Sequence, residues 1–208
     1  YLREALETQR RVLGDEHPDT LYSINNMGNL LHMQGKYDEA EAYWTEALDT
    51  RRRILGDEHP STLSSIAGMG YLFYGLGKYD EAEVYYTEAL ETRRRVLGNE
   101  QPHTLHSVKC MGNLRREQGK YDEAEVYYTE VLDTQRRVLG NEHPHTLISI
   151  GNMGILRRRQ GKYDEAEVYY REALDRMRRT LGDEHPYTLW SINELIELYD
   201  AWGKPEEA

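Results

Sequence analysis

One cysteine, Cys110, in 208 residues excludes an internal disulfide and suits a reducing, cytoplasmic compartment. No apolar run approaches the roughly 20 residues that a membrane-spanning helix needs, and no signal peptide stands out. Positive charge is in deficit. Lys and Arg number 26 against 37 Asp and Glu, for a net charge of −11. A general nucleic-acid binder shows a basic footprint that this balance lacks, and adsorption to anionic membranes is disfavoured as well. Period-two alternation, the mark of a β-strand, occurs nowhere. No glycine-rich phosphate loop follows a strand, and no nucleophile–base–acid set rises above the background. No cofactor and no enzymatic activity are therefore expected.

What the sequence has in abundance is itself. Gly35-Lys36-Tyr37-Asp38-Glu39-Ala40-Glu41 returns as Gly77–Glu83, Gly119–Glu125 and Gly161–Glu167. A worn copy, Gly203-Lys204-Pro205-Glu206-Glu207-Ala208, follows, and every copy begins 42 residues after the one before. A fixed period of this size denotes an array in which each unit packs on its neighbours. Hydrophobic residues make up 38% and charged residues 30%, low in apolar content for a globule but reasonable for an elongated, well-solvated chain.

Within one period, Gly14 follows Arg10-Arg11-Val12-Leu13, a helix end with cations in its last turn. Pro18 then opens a first helix, with His17 or Asp15 near its cap. Leu21, Ile24, Met27, Gly28 and Leu31 fall on one face of it. Gly35-Lys36 breaks the chain, and a second helix starts near Tyr37 or Asp38. Acids lead it and Arg51-Arg52-Arg53 end it, both complementing the helix dipole. First helices are expected near 18–34, 60–76, 102–118, 144–160 and 186–202. Second helices are expected near 1–13, 38–55, 80–97, 122–139 and 164–181.

These residues resemble tetratricopeptide repeats. The apolar–small pair of the first helix is Met27-Gly28, Met69-Gly70, Met111-Gly112 and Met153-Gly154. The second-helix signature is Ala40, Trp44, Ala47, then Ala82, Tyr86, Ala89, then Ala124, Tyr128, Val131, then Ala166, Tyr170, Ala173. The usual family period is 34 residues. The longer form here, with Leu-Gly-Asp/Asn-Glu-His/Gln-Pro between units, is similar to the repeats of kinesin light chains. It is similar also to arrays attached to signalling ATPases of the nucleotide-binding, immune-receptor-like type. The resemblance implies an all-α fold, an α-solenoid of antiparallel helix pairs wound as a right-handed superhelix. One such solenoid would occupy 1–208, with a partial second helix at 1–13, repeats at about 18–56, 60–98, 102–140 and 144–182, and an incomplete last repeat at 186–208.

The second helices are nearly interchangeable, and the first helices are not. Position 22 and its equivalents read Tyr22, Ser64, His106, Ile148, Trp190; position 25 reads Asn25, Ala67, Lys109, Gly151, Asn193. Position 29 reads Asn29, Tyr71, Asn113, Ile155, Glu197; position 32 reads His32, Tyr74, Arg116, Arg158, Asp200. These lie opposite the constant packing stripe. In the family this face lines a concave groove that holds a peptide or a partner segment. Drift on a solvated face is the alternative, but drift would have touched the outer face of the second helix equally. The expected binding residues are Asn25, Asn29, Tyr71, Tyr74, Lys109, Asn113, Arg116, Asn152 and Arg158. Lys109, Arg115, Arg116, Arg157, Arg158 and Arg159 would form a positive patch for an acidic, extended peptide, because guanidinium forks match carboxylates; alternatively these arginines merely answer the helix dipole. At the packing position, Leu31, Phe73, Arg115, Arg157 and Tyr199 vary, and an arginine there can bury its stem and keep its head wet.

The histidines carry no metal expectation. His17, His59, His143 and His185 recur at one loop position, which a structural role explains, and no closed ligand set exists. Cys110 replaces Asn26 of the first copy, and a lone helical cysteine is inert as a rule. The 17 tyrosines, many in pairs such as Tyr85-Tyr86, read as packing. Two classes of function remain: a scaffold for proteins or peptides, or a self-associating array stacked head to tail. Tyr1 is in phase with Tyr43 and Ala208 with Ala40, as in a segment cut from a longer protein. Trp190, Ile196, Tyr199 and Trp202 depart from the other copies, as a terminal repeat adapting to a cap or to another domain would.

Overall fold

The computed structural model describes residues 1–204 and 206. Among them lie ten α-helices and no strand: α1 (Leu2–Leu13), α2 (Pro18–Met33), α3 (Tyr37–Leu55), α4 (Pro60–Gly75), α5 (Tyr79–Leu97), α6 (Pro102–Glu117), α7 (Tyr121–Leu139), α8 (Pro144–Arg159), α9 (Tyr163–Leu181) and α10 (Pro186–Trp202). Pro205, Glu207 and Ala208 of the worn copy lie outside the described residues. Contacts divide the chain into two units, Tyr1–Ser107 and Val108–Ala208, with the boundary inside α6.

The loop histidine turns out to be the helix cap. His17, His59, His143 and His185 hold extended backbone, and the Nδ1 of each accepts the backbone N–H two residues on at 3.2 Å. Proline follows at the first helical position, where its missing N–H costs nothing. His59→Ala is therefore expected to lose about 1 kcal/mol in urea denaturation, and His59→Asn to keep most of it, since asparagine caps as well. Equal stability of the two variants would contradict the capping role. The second helices end on glycine: Gly56 sits at φ +82°, which glycine alone adopts without strain, and its N–H reaches the Arg52 carbonyl at 3.0 Å.

In the first unit α1 packs on α2, α2 on α3, α3 on α4 and α4 on α5. Ile24, Ala40, Ala47, Ile66, Ala82 and Ala89 are wholly buried, each aliphatic side chain such as Ile24 contributing roughly 1.5–3 kcal/mol. The small–aromatic pair of the sequence is a direct contact. A Cβ at Gly28 would lie 2.4 Å from the Trp44 ring, and one at Gly70 2.5 Å from the Tyr86 ring. The second unit repeats the arrangement, with α8 packed on α7 and α9, and α10 on α9. There Gly112 meets Tyr128 and Gly154 meets Tyr170, with would-be Cβ distances of 2.8 and 2.7 Å.

One buried position links each second helix to the next first helix. In the first unit Arg51 hydrogen-bonds the Ser65 hydroxyl and the Leu21 carbonyl (3.3 Å). Arg93 hydrogen-bonds the Ser107 hydroxyl (2.6 Å) and the Leu63 carbonyl (3.2 Å). In the second unit the same place holds Gln135, which accepts from Ser149 at 2.6 Å, and Met177, whose sulfur accepts from Ser191 at 3.1 Å. Arg51 is only 8% exposed and has no carboxylate partner among the described residues. Burial pushes its pKa down.

On the outside, arginines tie successive second helices together: Arg10 to Glu46 (2.8 Å), Arg52 to Glu88 (2.6 Å) and Arg136 to Glu172 (3.6 Å). Each recurs at one register and contributes roughly 0.2–1 kcal/mol.

Candidate functional site

In the first unit, α2 and α4 carry the expected binding face. Positions 22, 25, 26, 29, 32 and 33, and their equivalents 64, 67, 68, 71, 74 and 75, include no Asp, Glu, Lys or Arg. Asn29, Tyr22 and Tyr71 are exposed, while Asn25 and Tyr74 are half-buried. The Asn25 carbonyl accepts the Trp44 indole N–H at 3.1 Å. Tyr74 lies against Tyr79 and Tyr86, with centroids 6.0 and 6.5 Å away. The His32 ring sits 5.3 Å from Tyr37, 5.7 Å from Trp44 and 5.6 Å from Tyr71. This face is neutral, aromatic and amide-rich.

The second unit's face is charged, and less positive than the sequence suggested. Arg115 and Arg157 turn inward. Arg157 is 8% exposed and grips Glu125 through both terminal nitrogens (2.7 and 2.5 Å), with Glu165 3.0 Å from its Nε. Arg115 reaches Glu123 at 2.9 Å and the Gln118 side chain at 2.8 Å. The stem is buried as expected, but the head rests on carboxylates at the start of the second helices rather than in water. The fork holds the Glu125 carboxyl below its usual pKa and raises that of Arg157. These two arginines belong to the scaffold.

Arg158 stays on the face, but it is paired. It reaches Glu194 at 3.1 Å and Glu197 at 2.7 Å on α10. Glu194 also accepts the Tyr170 hydroxyl at 3.1 Å, and burial raises the pKa of that tyrosine. Arg116 bonds Glu117 at 2.8 Å. Lys109 and Asn152 are half-buried, Arg159 is exposed, and neither Lys109 nor Arg159 has a carboxylate partner among the described residues. Asn113 accepts the Tyr128 hydroxyl at 2.7 Å, which leaves its amide NH2 to donate elsewhere.

Two features of this face escaped sequence reasoning. Variation at one copy is matched at the next. Gly151 leaves a notch that the Trp190 ring fills, with a would-be Cβ 2.5 Å from the ring. The pair Arg158–Glu197 occupies the same register as His32–Tyr71. The signal was present: the sole acid at position 29, Glu197, follows an arginine at position 32 of the preceding copy. Part of the diversity is thus fit between adjacent first helices.

The model of the family described as tetratricopeptide repeat matches residues 1–43, 21–95, 100–177 and 150–208. The chain belongs to the tetratricopeptide repeat family. Solved structures with this repeat fold extend along nearly all of it. The putative kinesin light chain of P. anserina, with nearly identical TPR-like repeats, is 26% identical at a TM-score of 0.76, covering 92% of this chain and 90% of that one. BtubC (BKLC) from P. vanneervenii matches at a TM-score of 0.81 and 22% identity over 100% of this chain and 84% of that one. NprR in complex with its cognate peptide NprX matches at 0.70 and 19% identity, over 99% of this chain and 57% of that one. The fold is accordingly the all-α tetratricopeptide solenoid of the kinesin-light-chain-like type. Comparison with the curated proteins finds no match. Among the described residues, no helix is long and apolar enough to cross a membrane, and no three His, Cys, Asp or Glu side chains gather as a metal site.

Proposed function

We propose that this tetratricopeptide array is a protein-interaction scaffold that binds an extended peptide along the variable faces of its first helices. The observation that carries this reading is the contrast between nearly interchangeable second helices and first-helix faces that differ at positions 22, 25, 29 and 32. NprR, of the same fold, was crystallised with a cognate peptide. The face of the second unit is the better candidate for acidic peptides: Lys109 and Arg116 supply charge, and Asn113 and Asn152 supply amide donors beside them. Arg158 would join them by exchanging Glu197, which is 63% exposed, for a peptide carboxylate. Glu194, enclosed with Tyr170, would stay.

Calorimetric titration of a short Glu/Asp-rich peptide and its Lys-rich counterpart tests this. The acidic peptide is expected to bind and to weaken as salt rises. Arg116→Ala should cost about tenfold in affinity, near the 1.4 kcal/mol of one charge-assisted hydrogen bond. Glu197→Gln should tighten binding by freeing Arg158. Affinity indifferent to salt, to Arg116→Ala and to Arg158→Ala would overturn the acidic-peptide reading.

A further inference from the structure

The junction between α2 and α4 differs in kind from the one between α8 and α10. At α8 and α10, Trp190 fills the notch over Gly151, and Arg158 is paired to Glu194 and Glu197. At the same register α2 and α4 carry Asn25 with Ser64, and His32 with Tyr71. The His32 and Tyr71 rings lie 5.6 Å apart and are inclined by 46°, so they form one continuous aromatic surface. α4 is an interior helix, with a first helix before it and another after it in the chain. Tyr71 is nonetheless 57% exposed. Its hydroxyl makes no hydrogen bond among the described residues, and neither does the side-chain amide of the half-buried Asn25.

Charge narrows what can lie on this surface. The binding face of α2 and α4 has no Asp, Glu, Lys or Arg, whereas the same positions on α8 and α10 include Arg158, Arg159, Glu194, Glu197 and Asp200. An ionised side chain docked on α2 and α4 would give up hydration and gain no counter-ion. The occupant complementary in charge is a neutral one.

The recurring ways of holding a peptide make different demands. Strand addition needs a sheet edge, and there is no strand among the described residues. Recognition of phosphate or of acidic motifs needs an arginine cluster, which this face lacks. An amphipathic helix needs a groove of aliphatic anchors, and apart from Met33 this face carries no aliphatic side chain longer than alanine. A polyproline II segment asks for aromatic rings with hydrogen-bond donors beside them, which is what Tyr71, His32 and Asn25 supply. Such a segment has no internal hydrogen bonds, so its carbonyls are available to accept. Its prolines have no N–H, so few donors of the ligand are left unmatched.

We infer that the face of α2 and α4 binds an uncharged, proline-rich segment in the polyproline II conformation. A proline ring packs on Tyr71 and His32, and peptide carbonyls accept from the Asn25 amide and the Tyr71 hydroxyl. This rests on the reading of first-helix faces as peptide-binding, and it gives the first unit a ligand chemistry unlike that of the second.

Calorimetric titration with three peptides tests the inference: a short, end-capped peptide of repeated Pro-Pro-Gln, the same peptide with alanine for every proline, and the Glu/Asp-rich peptide. The proline peptide is expected to bind with an affinity that salt does not change. Its alanine counterpart should bind about tenfold more weakly or worse, because it must be ordered on binding. Tyr71→Ala should cost the proline peptide about tenfold, while Tyr71→Phe keeps most of the affinity and Arg116→Ala leaves it unchanged. Circular dichroism of each variant should match wild type, since Tyr71 is exposed. No binding of the proline peptide overturns the inference. So does equal binding of its alanine counterpart, or binding that ignores Tyr71→Ala. If the proline peptide fails while the acidic peptide binds through Arg116, this inference alone falls. If neither binds, the peptide-scaffold reading falls with it.

Discussion

Gly154→Ile is expected to destabilise the second unit by about 3 kcal/mol, the upper part of the range for overpacking a filled core. The Tyr170 ring already occupies the space a Cβ would take, and Tyr170 is wholly buried. The gain in helix propensity on leaving glycine, about half a kcal/mol, is too small to offset this. Adding Tyr170→Leu should recover much of the loss, although Tyr170→Leu alone costs stability by leaving a cavity and by removing the hydroxyl that Glu194 accepts. Urea denaturation of the two single variants and the double variant measures the coupling. Strictly additive losses would mean that the glycine and the ring are not a size-matched pair.

Arg51→Met is expected to act in the opposite direction, raising stability by about 1–2 kcal/mol. A buried guanidinium gives up its hydration, and Arg51 recovers only the Ser65 hydroxyl and the Leu21 carbonyl, with no carboxylate among the described residues. Replacing a buried charge by a well-packed apolar side chain of similar length is often neutral or stabilising. The same chain supplies the template, since Met177 fills this place in the second unit and its sulfur accepts the Ser191 hydroxyl. Thermal denaturation of wild type and Arg51→Met decides it. A lower midpoint for the variant would show that the two hydrogen bonds outweigh the desolvation of the charge.

The helices were legible because their punctuation is chemical and repeated. His17-Pro18 and Gly35-Lys36 start and stop helices by local backbone chemistry, and the period confirmed them five times over. The small–aromatic pairs were legible for the same reason. The charges on the first helices were not. Arg115, Arg116, Arg157 and Arg158 look alike in sequence, yet two clamp the acids that begin the second helices and one is paired to α10. Those partners lie 8 to 39 residues away, and only the stacking of helices selects among the many carboxylates in reach. Arg51 was hidden in an arginine run whose other members are more exposed. Trp190 looked like an adaptation at the end of the array, whereas it also fills the notch at Gly151.

On the function proposed above, the scaffold resides in the second helices and recognition in the first-helix faces. The most direct measurement is the affinity of the acidic peptide for three proteins: wild type, a face variant with Lys109, Asn113, Arg116 and Asn152 changed to alanine, and an outer-face variant with Glu83, Thr87 and Glu91 of α5 changed to alanine. Loss of binding in the face variant alone, with both variants folded, is the predicted result. Binding that survives in the face variant, or that disappears in the outer-face variant, would contradict it.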